Sequence, residues 1–246
     1  MKKLTNWVKQ QSTEYGVLLR SIPAHIVTLF TVSVIFMNVF ASVSLVNLPW
    51  LAVDGGIILA WLPFLTMDMI CKRFGARAAN KITIFGIVIN LCCVGLFNIV
   101  NLIIKSTPDW NGWLDGENGV FATLAGNWKT LVSSMAAMLL SALVNNFVNT
   151  KIKRKDNFTF KNFALASYVS TFIGQFVDNM TFGLFAHQVF NIWGSPLSIV
   201  QITMMSLTGA MVELLCEVVF SPVGFKICKK WTKDNVGSEY LTLVNA

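Results

Sequence analysis

The sequence predicts an all-α, polytopic membrane bundle of six helices with both ends on the cytoplasmic face. Three observations predict it. Residues of the set AVILMFWYC make up 54% of the 246 positions and charged residues only 13%, where a soluble domain carries about 25% charge. Mean hydropathy is +0.62. The 19 lysines and arginines fall in short clusters between long apolar stretches, which is how basic residues distribute at a membrane face rather than over a nucleic-acid footprint.

Apolar stretches run over 26–46, 56–71, 82–104, 131–150, 163–186 and 199–220. Most approach the ~20 residues a helix needs to cross ~30 Å of hydrocarbon. The first follows a basic segment and is too long for the apolar part of a signal peptide. The second is the weakest, because it is short and contains Pro63 and Asp68. It is kept because the charge pattern requires it. Lys2, Lys3, Lys9 and Arg20 precede the first stretch, and Lys72, Arg73, Arg77 and Lys81 follow the second. Lys151, Lys153, Arg154, Lys155 and Lys161 follow the fourth, and Lys226, Lys229, Lys230 and Lys233 the sixth. Only Lys105 and Lys129 remain for the opposite face. Basic residues favour the cytoplasmic side, so this asymmetry predicts six spans with both termini inside. One transmembrane domain over 1–246 is expected, with 1–22 a cytoplasmic surface helix, 105–130 a long outer loop and 226–246 a cytoplasmic tail. Asp109, Asp115, Glu117, Trp110, Trp113 and Trp128 in the long loop read either as an interfacial aromatic belt or as a lid.

Several chemistries lack their groups. The five cysteines fall in spans or on the cytoplasmic side, which disfavours a structural disulfide. Only His25 and His187 are present, at opposite faces, and C-x-x-C, H-E-x-x-H, P-loop and G-x-S-x-G patterns are missing. Metal, cofactor and enzyme readings are therefore poor.

The informative residues are polar ones inside the apolar stretches. Asp68, Asp178, Glu213 and Glu217 have no lysine or arginine within their stretches. Each acid at a bilayer centre costs ~2.5–3.5 kcal/mol on insertion scales, so it must face the bundle interior or water. Ser170, Gly174 and Asp178 recur every four residues beside Thr171 and Gln175, and Gly209, Glu213, Glu217 and Ser221 do the same. Residues four apart share a helix face, so each stretch carries a polar stripe. Ser133, Ala137 and Ser141 read as close helix packing, continuing to Asn145 and Asn149; Asn90, Asn98 and Asn101 mark the third stretch. At 1.5 Å per residue, Asp178 lies about 22 Å from the cytoplasmic start of its span and Glu213 about 10 Å from the end of its own. Asp68 lies about 6 Å from the inner boundary, and with Lys72 one turn on it reads as a local ion pair or gate. Amides and carboxylates near the midplane suit a carrier of a small polar solute rich in N–H donors. Phe172, Phe176, Phe182 and Phe185 are candidates to stack on a planar ring, against the plainer role of core or lipid contacts.

The run from Gly56 to Asp68, then Phe74, Gly75, Arg77 and Ala78, together with Ser170, Thr171, Gly174, Gln175 and Asp178, resembles the queuosine precursor transporter family, also described as vitamin uptake transporters. Pro222 is placed where that family closes its last helix. The resemblance departs at Asn145, where relatives often carry Asp, at Lys72, where many carry Glu, and in the sixth span, which holds Glu213 and Glu217 and no lysine. It implies a secondary carrier in a bacterial inner membrane that imports 7-deazaguanine bases, with queuine or queuosine as variants. The expected binding residues are Asp178, Gln175, Glu213, Glu217, Asn145, Asn98, Ser170 and Asp68, with Glu213 or Glu217 meeting a cationic substituent or carrying a coupling proton. Expected partners are the solute and the lipid bilayer, with self-association open, no nucleic acid and no cofactor. Rival readings are the substrate-binding subunit of an energy-coupling-factor importer and a non-transporting membrane scaffold.

Overall fold

The computed structural model describes residues 2–41, 44–48, 51–106, 128–152, 159–192, 194 and 196–245. In chain order these form α1 (Lys2–Ser21), α2 (Ala24–Phe40), a hairpin of β1 (Ser44–Leu48) and β2 (Leu51–Asp54), α3 (Ile57–Phe74) and α4 (Ala76–Lys105). After the long loop come α5 (Trp128–Lys151), α6 (Phe160–Gly183), a π turn over Leu184–Val189, α7 (Ile199–Lys233) and α8 (Ser238–Asn245). The acidic and aromatic residues proposed as a lid lie outside the described residues except Trp128, whose ring packs edge-on against Phe190 at 5.6 Å.

A helix forms in each of the six apolar stretches, but three are long and apolar enough to cross a membrane: α4 over Ala76–Ile103, α5 and α7. A fourth is reached if α1 and α2, bent by 102° at Pro23, count as one broken span. α3 and α6 fall short because they hold the polar residues, and α3 is also the most enclosed helix, with eleven of its 18 residues buried. Backbone and side chains surrounded by protein do not need the apolarity that lipid demands. The outer faces are the reverse of a soluble surface: Ile84, Val88, Leu91, Ile99 and Leu102 on α4, and Met204, Met211, Leu215 and Val219 on α7, are exposed, a continuous apolar covering of the kind that meets lipid.

Three boundaries differ from expectation. The first stretch ends at Phe40, and Ser44–Leu48 instead pairs antiparallel with Leu51–Asp54 in the register Val46↔Val53 and Leu48↔Leu51, a small strand element in an otherwise helical chain. Pro49, immediately after this segment, cannot donate to a continuing helix. The helix of the fifth stretch, α6, widens into the π turn after Gly183. Most plainly, Pro222 does not close the last helix, which continues to Lys233, so the first part of the expected tail is helix. The carbonyl that proline leaves without its helical donor is that of Val218. The neighbouring Ser221 hydroxyl donates to it at 3.1 Å, and the helix passes through. α7 begins equally firmly, on a capping box in which Ser198 and Gln201 satisfy each other's backbone donors.

α3 and α4 form a tight hairpin at Gly75, whose φ of +86° is a conformation that a side chain disfavours. Against this hairpin, at the end that carries the chain termini, lies the apolar core: Leu18 and Ile22 of α1, Phe30 and Val34 of α2, Ile70 and Phe74 of α3, Ala78 and Ile82 of α4, Trp231 of α7 and Tyr240 of α8. Glu14 is buried beside it. It accepts from Lys81 Nζ at 2.9 Å, pairs with Arg77, and takes the Tyr240 hydroxyl at 3.3 Å. Arg73 Nε donates to the Val236 carbonyl at 2.9 Å. α1, α4 and α8 thus meet at one carboxylate. Burial alone would raise the Glu14 carboxyl, but the Lys81 hydrogen bond and charge, with Arg77 and Tyr240, outweigh it and hold it below the usual carboxylate range. The same burial and the Glu14 charge push the Tyr240 hydroxyl up to about 12.

A carboxylate lowered in the folded state contributes stability above its unfolded value of about 4.3 and loses it as pH falls through the lowered folded value. The melting temperature of the purified chain should therefore fall as pH drops from 7 towards 3. A Glu14→Gln variant should melt lower at pH 7 and lose part of that acid dependence.

Candidate functional site

Inside the bundle, α3, α5, α6 and α7 enclose a layer of polar side chains. Asp68 on α3 is its hub and is buried. Asn145 on α5 donates Nδ2 to Asp68 Oδ1 at 2.9 Å, and from α6 Ser167 reaches Oδ2 at 2.5 Å, with Thr171 at 3.4 Å and Ser170 at 3.5 Å from the two oxygens. Asn149 donates to Ser170 Oγ at 3.1 Å. Glu217 on α7 meets the same Ser167 hydroxyl through Oε1. One turn further along α7, Ser221 bonds the Tyr168 hydroxyl at 2.6 Å. The helix period explains the convergence: Ser167, Ser170 and Thr171 are three and four residues apart, so one face of α6 presents three hydroxyls to one carboxylate.

Gly174 allows this approach. A Cβ there would lie 2.8 Å from the Phe64 ring and 3.0 Å from Asn145 Cβ, so the missing side chain is what lets α6 seat against α3 and α5. Next to it Gln175, fully buried, donates Nε2 to the Ala60 carbonyl at 3.2 Å.

A second tier lies further along the same helices. Ser141, one turn before Asn145, donates to Asp178 Oδ1 at 2.7 Å. Asn179 packs over Gly209, where a Cβ would sit 2.9 Å from its amide nitrogen. Glu213 is buried one turn from both Gly209 and Glu217. The two tiers are about 6 Å apart along α5, the rise of one helical turn.

Among the buried oxygens of this interior without a hydrogen-bond donor are, beside Glu217 Oε2, two amide acceptors, Asn145 Oδ1 and Gln175 Oε1. Their amides cannot simply be reversed. Each NH2 group is already committed, Asn145 to Asp68 and Gln175 to the Ala60 carbonyl, and exchanging oxygen for nitrogen would break those bonds. Buried polar atoms without partners are uncommon in folded chains. Here both are acceptors, and Asn145 lies beside the Asp68 carboxylate.

Of the expected residues, Asp68, Asn145, Ser170 and Glu217 come together in the first tier, Gln175 adjoins them, and Asp178 and Glu213 occupy the second. Asn98 does not join them: it is exposed on α4 and its amide bonds back to the Val94 carbonyl at 2.9 Å, as polar side chains on a helix surface commonly do. Asp68, expected to act locally with Lys72, is the centre of the network. Ser167 was not anticipated. Its signal is present in the chain as a serine three residues before Ser170, which extends the fifth-stretch stripe by one turn.

An apolar exterior around a polar, carboxylate-containing interior defines a helical membrane protein whose polar groups lie between its helices. Residues 54–227 match the family model described as "Putative vitamin uptake transporter". The chain belongs to that family, the queuosine precursor transporter family. The matched segment holds every residue of both tiers and leaves α1, α2 and α8 outside it. No curated protein and no solved structure matches the chain.

Gly174→Ala should force Phe64 and Asn145 apart. Overpacking of this kind costs about 1–3 kcal/mol, so the variant should melt several degrees lower than the parent in the same detergent. A Gly95→Ala control, where nothing lies within 4 Å of the added carbon, should not.

Proposed function

We propose that this chain is a secondary transporter that imports a small polar heterocycle, a 7-deazaguanine queuosine precursor, across a bacterial inner membrane. In this reading α2 to α7 are the six spans, α1 and α8 lie on the cytoplasmic face, and the basic clusters anchor that side. The family supplies the carrier class. The observation that carries the substrate class is the set of orphaned acceptors: Asn145 Oδ1 and Gln175 Oε1 are buried, fixed in orientation and without donors. The edge of a guanine-type ring offers adjacent N–H donors, and a solute bearing them would complete both amides while an acid nearby accepts a second, charge-assisted bond. Asp178, held by Ser141 at 2.7 Å, and Glu213 stand one turn further on to receive a substituent.

Cells unable to make queuosine, expressing this chain alone, should accumulate labelled 7-deazaguanine base. An importer of the energy-coupling-factor type would need its ATPase and scaffold as well. A buried hydrogen bond left unmade costs about 1–3 kcal/mol, so Gln175→Leu and Asn145→Ala, at parental expression, should each lower uptake about five- to a hundredfold. Parental uptake in both variants, or in Asp178→Asn, would remove those residues from the site.

A further inference from the structure

The contact between Asp68 and Glu217 has a hydrogen count. Ser167 Oγ lies within hydrogen-bond distance of Asp68 Oδ2, at 2.5 Å, and of Glu217 Oε1. A serine hydroxyl owns one hydrogen, and an ionised carboxylate owns none. Both contacts are hydrogen bonds only if one of the two acids donates to Oγ. The partners indicate which. Asp68 receives Asn145 Nδ2 on one oxygen and the Ser167 hydroxyl on the other, with Thr171 standing between the two acids; the amide donor goes to Asp68, the pattern of an anion supplied with donors. Glu217 is fully buried, and its second oxygen, Oε2, has no hydrogen bond. A bare oxygen is costly on a buried anion and tolerable on a neutral acid.

From this geometry we infer that Glu217 holds an exchangeable proton, donated through Ser167 to ionised Asp68, and that this proton is the one coupled to solute import. The direct contact of the oxygens leaves no room for a sodium ion between Ser167 and either acid. The groups around the pair are consistent with a single negative charge. α3 adds Cys71 and Lys72 beyond Asp68, α5 presents Asn145 and Asn149, α6 adds the Tyr168 phenol, and α7 adds Glu213 one turn away. α4 reaches α5 with Asn80, which accepts from Asn146 at 2.6 Å, and α2 holds no carboxylate. In the transport step nothing is made or broken in the solute. A proton enters from the outer side, passes Glu213, rests on Glu217, and leaves to the cytoplasm when the Ser167 bridge opens. The coupling rests on the transport reading above; the proton on Glu217 does not.

Two measurements test it. Infrared spectra of the full-length chain in lipid nanodiscs near pH 7 should contain the carbonyl stretch of a buried protonated carboxylic acid. The band should vanish in Glu217→Gln, shift in Ser167→Ala, and persist in Glu213→Gln. Absence of the band from the parent, or its survival in folded Glu217→Gln, overturns the inference. If Glu217→Gln does not fold, Glu217→Asp serves, with a displaced band expected and an unmoved one fatal. In proteoliposomes, an outside-acid difference of one pH unit should drive about tenfold accumulation of 7-deazaguanine base for one proton per solute. Accumulation should collapse with a protonophore and ignore sodium. Sodium-driven accumulation, or indifference to the pH difference, overturns the coupling while leaving the substrate reading intact. A chain with the Glu217 band that moves no such base refutes the substrate reading, and the coupling falls with it while the proton site stands.

Discussion

A carboxylate on α3 must be kept in an apolar slab without exposure to water, and much of the bundle follows from that requirement. Asp68 could not sit where it does without donors, because an uncompensated buried charge costs several kcal/mol. The donors come from two other helices: an amide from α5 and hydroxyls from α6. Bringing them within reach requires α6 to lie closer to α3 and α5 than ordinary side chains permit, and Gly174 supplies that proximity. α7 is then tied to the same point through Glu217 and Ser167. Four helices are fastened at their centre by polar contacts, while their outward faces remain apolar. In lipid, where apolar burial gives helices little reason to associate, such contacts and close packing are what hold a bundle together.

Much of this was legible in the chain, for a physical reason. Charged and amide residues are so unfavourable in hydrocarbon that their mere presence in apolar stretches marks the interior, and the period of four residues placed Ser170 and Asp178 on one face and Glu213 and Glu217 on another. Which helices those faces meet was not legible. Asp68 is near one end of its stretch, with Lys72 the nearest charge in sequence, so a local pairing was the natural expectation; the amide and hydroxyls that bond it are 77 to 103 residues away in the chain. Asn98 shows the converse. Composition cannot tell an asparagine that faces a partner from one that bonds its own helix and faces outward. Pro222 misleads in the same way, because the serine that takes over the freed carbonyl is part of tertiary detail rather than pattern.

The span count illustrates a related tension. α3 and α6, which contribute most of the polar layer, fail a test of length and apolarity that α4, α5 and α7 pass. A segment rich enough in polar groups to do chemistry loses the signature of a membrane helix, and it is admissible only because its neighbours shield it. Here much of the deficit in apolarity is the polar layer itself, Asp68 on α3 and Ser167, Ser170, Thr171 and Gln175 on α6.

α7 spans 35 residues without interruption, about 52 Å at the helical rise and some 20 Å more than the hydrocarbon is thick. It carries Glu217 in the polar layer and, fourteen positions on, Trp231 in the apolar pad under Tyr240. A rod of this kind is a mechanical linkage: a tilt at its midpoint is delivered, enlarged, to the place where the two ends of the chain are pinned together by Glu14. A spectroscopic label at either terminus is thereby an observer, at a distance, of events in the polar layer.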